Sequence, residues 1–438
     1  MVEVVWSVGE EKRNILILGC GFGGLYTALY LQKILKKDDR YAIVMVSNEN
    51  FFLFTPLLHK VASGAVETRH ITYPIRRLRR HSNFHFHQKE IQSIDLQTRK
   101  VTTDSGILNY EYLVLALGGI TDTLRLPSFE KNVCVLKTLF DGIVLRNQII
   151  RMFELADIEP RREEQSHLLT FVVAGSGYTG VQLIAEIDDF IRGSLVKGYR
   201  RINPALIKII LVEDEDRIMG EMKKKLAFTA EAYLKSQGIE VLLNSSVTKI
   251  CENAIEINGK RTIFTHTLVW VTGVLANPII AQLPAKKDDR GRVKVNEYFQ
   301  VPGYPKVYAV GDNACFLNHE TGEALPLRAH FATRQAKRLA GNIWADIKGI
   351  PEKPFRSGSN PAIVFLGSRN AIADVYGLHF HGFFIRFMGL IGYIFLMKGF
   401  LNRIRVTTDW FFNFLFGRDT TLLKVEKSRP WVSPDKRL

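Results

Sequence analysis

The sequence predicts an α/β fold made of two strand–glycine turn–helix units and an amphipathic helical segment near the C-terminus. Three observations predict it. Ile15–Gly24 reads ILILGCGFGG, an apolar run entering Gly19-x-Gly21-x-x-Gly24, and the pattern recurs over Thr170–Gly180. Further apolar runs ending in small residues follow each unit, at Tyr112–Gly119 and Thr267–Gly273. Residues 383–416 mix apolar and aromatic residues with scattered bases. A buried parallel strand, a glycine turn and a helix make a Rossmann-like dinucleotide-binding unit, and a pair of them predicts two nucleotide sites.

In the first unit Gly19 permits the tight turn, Gly21 lets backbone approach a pyrophosphate, and Gly24 lets the helix pack closely on the strand. Phe22 and Gly23 complete the turn, and Leu25–Lys36 reads as the helix whose N-terminal N–H groups receive the phosphates. Alone, such a turn is equally well an ordinary strand–turn–helix; its repetition carries the argument. Residues 41–46 are the next strand, and the acid usually found after it is replaced by Ser47, with Glu49 two positions on. Glu49 either reaches a ribose or is a solvated loop charge. Residues 51–64, FFLFTPLLHKVASG, cannot be a central strand because of Thr55-Pro56, and read as a packed loop against a flat ligand ring. The RRLRR cluster at 76–80 reads as a solvated helix face, and 91–101 with 106–112 as a small antiparallel excursion. Ala116 and Gly118 end the strand Tyr112–Gly119, where small residues let a ligand approach the sheet edge.

After a helix at about 137–157 and the polar stretch EPRREEQSH, the second unit begins. Its turn is Gly175, Ser176, Gly177, Tyr178, Thr179, Gly180, and its helix is Val181–Arg192. The strand 207–212 ends at Glu213, placed to hold a ribose 2′-hydroxyl and repel a 2′-phosphate, with Asp214, Glu215 and Asp216 reinforcing the repulsion. NADH is therefore expected over NADPH; a solvated acidic turn is the alternative. The gap from Gly180 to Glu213 requires an extended helix or an insertion. Gly273 ends a further buried strand, and Gly311-Asp312 ends VYAVGD, where the acid can accept from a flavin ribityl hydroxyl or cap a helix. The helix 329–343 begins at Ala329 and points its N-terminus at the flavin ring.

The chain has 438 residues, enough for two or three domains, and 46% hydrophobic residues, enough for large cores. Its 59 Lys+Arg against 44 Asp+Glu give +15, which suits an anionic surface. Absence of zinc-finger spacing and of long basic runs turns that reading from nucleic acid to lipid. Cys20, Cys134, Cys251 and Cys315 form no C-x-x-C and read as reduced thiols. The first residues lack the pattern of a secretory signal. About 11 apolar residues lie between Arg386 and Lys398, roughly 17 Å of helix, short of a ~30 Å hydrocarbon core. Residues 380–438 carry ten Lys/Arg against four Asp/Glu, so this region reads as helices lying on an anionic leaflet; a dimerisation or core helix pair is the alternative.

The order GCGFGG, FFLFTPLL, YLVLALG, GSGYTG, LVE, VWVTG, VYAVGD, with the C-terminal LGSRNAIADVYGL, resembles the type II NADH:quinone oxidoreductases over nearly the whole chain. The resemblance implies FAD on Gly19, Gly21, Gly24, Thr55, Pro56, Gly311 and Asp312, and NADH on Gly175, Gly177, Gly180 and Glu213. It implies a membrane quinone as acceptor without proton pumping, and a peripheral protein on the cytoplasmic face of the cell membrane. The expected division is 11–135 and 292–355 for FAD, 136–291 for NADH, and 356–438 for membrane association, with a homodimer through that last region also open. Three positions depart from the family. Gln182 stands where a Glu is usual and cannot relay a proton. The quinone-side helix has His330 and Arg334 at two usual Gln positions while keeping Gln335, and His330 is either a proton donor or a packed core histidine. The third departure is Ser47. Gln182, His330 and Gln335 are the candidate acceptor-side residues. Two alternatives remain: a sulfide:quinone oxidoreductase, which needs a redox cysteine pair for which only Cys134 and Cys315 are candidates, and a low-turnover flavin-binding membrane or redox-sensing protein.

Overall fold

Each apolar run before a glycine turn becomes the central strand of a five-stranded parallel sheet. In the computed structural model, which describes residues 12–123, 133–319, 321–358 and 361–423, the first sheet runs Val307–Ala309, Tyr112–Leu115, Arg13–Leu18, Tyr41–Ser47, Phe84–Gln88. The second runs Val133–Val135, Thr267–Trp270, Thr170–Ala174, Lys208–Val212, Glu240–Leu242. Ile15, Leu16, Ile17 and Leu18 are fully buried: Ile15 and Ile17 face the helices that carry Leu25 and Leu339, and Leu16 and Leu18 face the antiparallel strands that carry Val101 and Leu108. Val133–Val135 pairs with Leu268–Trp270 of the second sheet, so the expected boundary at 135 falls a strand too late. An antiparallel pair, Gly119–Thr121 with Val274–Ala276, ties the two units together.

The helices along the chain are α1 (Phe22–Ile34), α2 (Leu58–Ala62), α3 (Leu139–Ile158), α4 (Arg162–Leu168), α5 (Tyr178–Gly193), α6 (Lys224–Ser236), α7 (Pro278–Ala281), α8 (Ala329–Lys348), α9 (Phe383–Leu396) and α10 (Phe400–Phe416). α1 and α5 each begin three residues before the expected start, because Gly21 and Gly177 are their N-caps and the third glycine already lies inside the helix. Residues 51–64 are not a loop: Phe51–Leu53 is a short strand, Pro56 opens a 3₁₀ turn over Thr55–Leu57, and α2 follows. The polar stretch before the second unit forms α4, and the long gap before Glu213 is filled by the end of α5 and 3₁₀ turns at Leu195–Gly198 and Pro204–Leu206. RRLRR lies on a 3₁₀ turn, Ile75–Leu78, and its extended exit rather than on an α-helix. The antiparallel excursion is observed as Ile91–Asp95, Lys100–Thr103 and Gly106–Asn109.

An antiparallel sheet, Ala362–Leu366, Asn370–Val375 and Leu378–His381, leads into α9 and α10. These two helices bury little: Gly389 and Leu390 in one, Asn402 and Val406 in the other. Phe384, Phe395, Phe400, Phe414 and Phe416 are 69–85% exposed, so the core-helix alternative is excluded. Among the described residues no helix is long and apolar enough to cross a membrane. Part of the basic C-terminal region, 424–438, lies outside the described residues.

After α10 the chain turns back into the protein. Glu186 of α5 is fully buried and pairs with Lys60 of α2 and, at 2.9 Å, with Arg418. The Ser63 hydroxyl donates to the same carboxylate at 3.1 Å, and Arg418 also donates to the carbonyl of Glu186 at 3.1 Å. Arg146 of α3 then donates to the Asp419 carbonyl, and Asn147 bonds both main-chain groups of Leu423. Burial alone would raise the Glu186 carboxyl; Lys60 and Arg418 outweigh it and hold the carboxyl below its ordinary range. Burial pushes His59, beside them, down to about 3, so that ring is neutral. Arg418→Ala leaves Glu186 short of one cation and is expected to lower the urea-unfolding free energy by about 3 kcal/mol. The lowered carboxyl stabilises the fold fully above the ordinary carboxylate pKa and loses that contribution as pH falls through its folded value, so the wild-type advantage over Arg418→Ala should shrink on acidification.

Candidate nucleotide and electron-transfer site

The two glycine turns are built to one plan. Gly19 N–H donates to the Val46 carbonyl at 2.7 Å, and Gly175 N–H to the Val212 carbonyl at 2.9 Å. A Cβ at Gly24 would collide with the Gly19 carbonyl oxygen, and one at Gly180 with that of Gly175. Only glycine lets either helix sit that close to its strand. Ala116 packs against Gly19 and Gly24, and Gly23 approaches Val310, so the first cradle is closed from below by two strand ends. Above Gly21 and Gly177 there is open space, and neither helix has a side-chain N-cap. N–H groups at a helix N-terminus with no side chain capping them fit a pyrophosphate.

The units diverge at the residue after the second strand. Leu18 is in register with Val46 and Ala174 with Val212, so Ser47 and Glu213 occupy equivalent places. Glu213 accepts from the Ser176 backbone N–H at 2.7 Å and from the Ser176 hydroxyl, which aims the carboxylate at the glycine turn. Burial, with Asp214 next to it, raises its pKa. In the first unit Ser47 and Cys20 share a 3.2 Å hydrogen bond instead. Glu49 is exposed and its backbone N–H donates to the Ser47 hydroxyl. Tyr178 and Thr179 open α5; the Arg328 guanidinium lies 4.2 Å over the Tyr178 ring and pairs with Glu221.

Elements far apart in sequence converge on the Gly311-Asp312 turn. Gln335 of α8, buried, accepts the Gly311 N–H at 2.9 Å. Asp312 pairs with Lys137 at 3.0 Å, both partly exposed, and Gly119 lies against Asp312. Gly118 opens onto free space at the end of its strand, while Gly273 lies against the side chain of Asp122. Phe22 meets Phe52 edge-on at 4.9 Å and Phe54 at 5.8 Å, carrying the first turn onto the Thr55-Pro56 segment, where Thr55 is exposed. Ala329 and His330 are half-buried at the start of α8, with His330 beside Phe331.

The acceptor-side candidates separate. Gln182 is buried, donates to the Tyr178 carbonyl and accepts the Phe365 N–H at 3.4 Å, joining α5 to the C-terminal sheet. Gln335 holds the Gly311 turn from inside. Arg334 donates to the Arg356 carbonyl and lies 5.9 Å from the Phe355 ring centre. The deepest charges nearby, Glu186 and Lys60, were not singled out in sequence; a lysine and a glutamate inside apolar runs were the available signal. Cys134 lies in the second sheet and Cys315 in a separate two-stranded pair with Val293–Lys294. All four cysteines are free, and burial pushes the Cys134 thiol up to about 12. A redox cysteine pair therefore finds no support here.

The family model described as pyridine nucleotide-disulphide oxidoreductase matches residues 13–336. A probable NADH dehydrogenase of Dictyostelium discoideum is 30% identical over 93% of this chain and 91% of its own length. The type II NADH:quinone oxidoreductase NdhA of Mycobacterium tuberculosis is 31% identical over 93% of this chain and 88% of its own. Among solved structures, NDH2 of Plasmodium falciparum in complex with NADH covers 94% of this chain and 100% of that one, with TM-score 0.84 at 20% identity. The sulfide:quinone oxidoreductase of Aquifex aeolicus shares the fold at TM-score 0.73 and 18% identity, over 93% of this chain and 96% of that one. Two glycine cradles of common geometry, one carrying Glu213, and relatives of this identity along nearly the whole length lead to one conclusion: the chain belongs to the pyridine nucleotide-disulphide oxidoreductase family and, within it, to the type II NADH:quinone oxidoreductases.

Proposed function

We infer that this chain is an enzyme that oxidises NADH and reduces a quinone, with FAD in the first cradle and NADH in the second. The observation that carries the assignment of the two sites is that the Gly311-Asp312 turn and the segment 51–57 close on the first glycine turn, while Glu213 stands at the second. FAD, when bound, supplies a carrier that accepts a hydride equivalent and yields electrons to a second substrate. The N–H groups at the start of α1 and α5 hold the two pyrophosphates. Glu213 accepts from the NADH ribose, and the acids that follow it repel a 2′-phosphate. Asp312 accepts a cofactor hydroxyl while Lys137 neutralises its charge, and Gln335 fixes the turn that presents it.

On the acceptor side Gln182 has no proton to relay and is occupied with Tyr178 and Phe365. His330, half-buried at the start of α8, is the side chain in this reading that passes a proton toward the quinone. We assign Val133–Val135 to the NADH unit, the segment of Ala276, Ile280 and Leu283, which packs with the first sheet, to the FAD unit, and 356–438 to membrane association. The exposed phenylalanines of α9 and α10 lie in a membrane surface, on its cytoplasmic face, and electrons reach the quinone without proton pumping.

Addition of a short-chain quinone to the FAD-loaded protein should accelerate NADH oxidation; absence of a response to any quinone would remove that acceptor. Glu213→Gln should raise the KM for NADH about tenfold and narrow the preference over NADPH, read from kcat/KM for both nucleotides. In stopped-flow experiments His330→Ala should slow flavin reoxidation by quinone about 10²-fold and leave flavin reduction by NADH unchanged. Equal effects on both half-reactions would refute the role of His330.

A further inference from the structure

We propose that the arginine-rich turn at 76–80 and the corner between α9 and α10 together form a binding site for the phosphodiester headgroup of an anionic phospholipid. The proposal rests on the membrane-surface reading above and adds to it the ligand chemistry and the residues. Ile75 and Leu78 are buried and fasten the turn to the protein, which leaves Arg76, Arg77, Arg79 and Arg80 exposed. The short strand Thr72–Pro74 that leads into this turn also carries the α9–α10 corner. The Asn402 side-chain amide donates to the Thr72 carbonyl, and Gly399 lies so close to the Tyr73 ring that a Cβ there would collide with it. Two basic segments more than 300 residues apart in sequence are thereby brought side by side.

At the corner Lys398 stands 4.3 Å over the Tyr26 ring. Arg403 donates to the Phe395 carbonyl at 2.9 Å and to the Met397 carbonyl at 3.0 and 3.1 Å, which closes the end of α9 and fixes the guanidinium there. Burial lowers the Lys398 pKa, and the charges of Arg80 and Arg403 lower it further, so these cations sit within each other's field. Among the described residues none of Arg76, Arg77, Arg79, Arg80, Lys398 and Arg403 has a carboxylate within ion-pair distance, whereas Lys60, Lys137, Arg328 and Arg418 all do. Cations grouped without a counter-charge repel one another, and an external anion relieves that repulsion.

The surroundings select the anion. Phe395, Leu396, Phe400 and Leu401 flank Lys398 and are 57–73% exposed. Free phosphate leaves that apolar surface in water. A phospholipid covers it with acyl chain while its phosphate meets Arg80 and Lys398, the depth at which basic side chains of an interfacial helix belong.

The test uses the full-length FAD-loaded protein floated with vesicles of phosphatidylcholine, with and without phosphatidylglycerol. The wild type is expected to bind the anionic vesicles more tightly. With about fivefold per surface cation, Arg80→Glu with Lys398→Glu should weaken that binding at least about 25-fold and abolish the preference for phosphatidylglycerol. Oxidation of NADH by a short-chain quinone without vesicles should match the wild type, so loss of the lipid site is separable from failure of the redox reading. Arg77→Glu with Arg80→Glu, at exposed positions of the turn alone, provides the second variant if the first fails to fold. Equal binding of wild type to both vesicle types, or unchanged binding by the charge-reversed variants, overturns the proposal. So does a wild type that ignores vesicles and sediments as a dimer which the variants dissociate, since the face would then belong to a second copy.

Discussion

A carboxylate with no access to water dictates how the C-terminal third of this protein is assembled. Glu186 sits on the helix that begins the second nucleotide cradle, and its charge is met by Lys60 from the first unit and by Arg418 from beyond α10. An unpaired buried charge of this kind would cost several kcal/mol, so each of the three segments is held where its partner needs it. The same helix presents Gln182 to the Phe365 N–H one turn earlier. Polar groups on one otherwise apolar helix therefore fasten α2, the C-terminal sheet and the returning chain.

Against this shared scaffold the two cradles differ in little. Their strands pair in the same register, and their glycines meet the same carbonyl collisions. The contrast is Cys20 with Ser47 in one and Ser176 with Glu213 in the other. A neutral, weakly bonded pair and a carboxylate held by two donors give the two turns different chemistry at the same place in the fold.

Much of this was legible in sequence because it is local. An apolar run followed by glycines at fixed spacing specifies strand, turn and close helix, and Glu213 follows from the strand end alone. The start of α1 was missed by three residues because a glycine N-cap resembles a loop in sequence. Residues 51–64 were misread because Pro56 opens a turn there and does not merely interrupt a strand. The pairing within the Glu186 cluster is illegible for a different reason: its members are 126 and 232 residues apart, and charge pairing at that separation leaves no periodicity. Gln335 was noticed for its resemblance, yet its bond to Gly311 depends on how α8 lies against the first sheet, which no spacing encodes. The arginines at 76–80 are legible as solvated, but the nearness of Arg80 to Lys398 is not.

The path of the chain after α10 bears on how the molecule can be cut. The greasy helices are not an appendage that follows a finished body; the polypeptide passes through them and then supplies Arg418 to the interior. A shortened version ending before Phe383, made to obtain a detergent-free protein, would also withdraw an interior cation and the segment that covers α3. Excision of α9 and α10 with a linker that rejoins the chain ahead of Arg418 respects that dependence, and a plain stop codon does not.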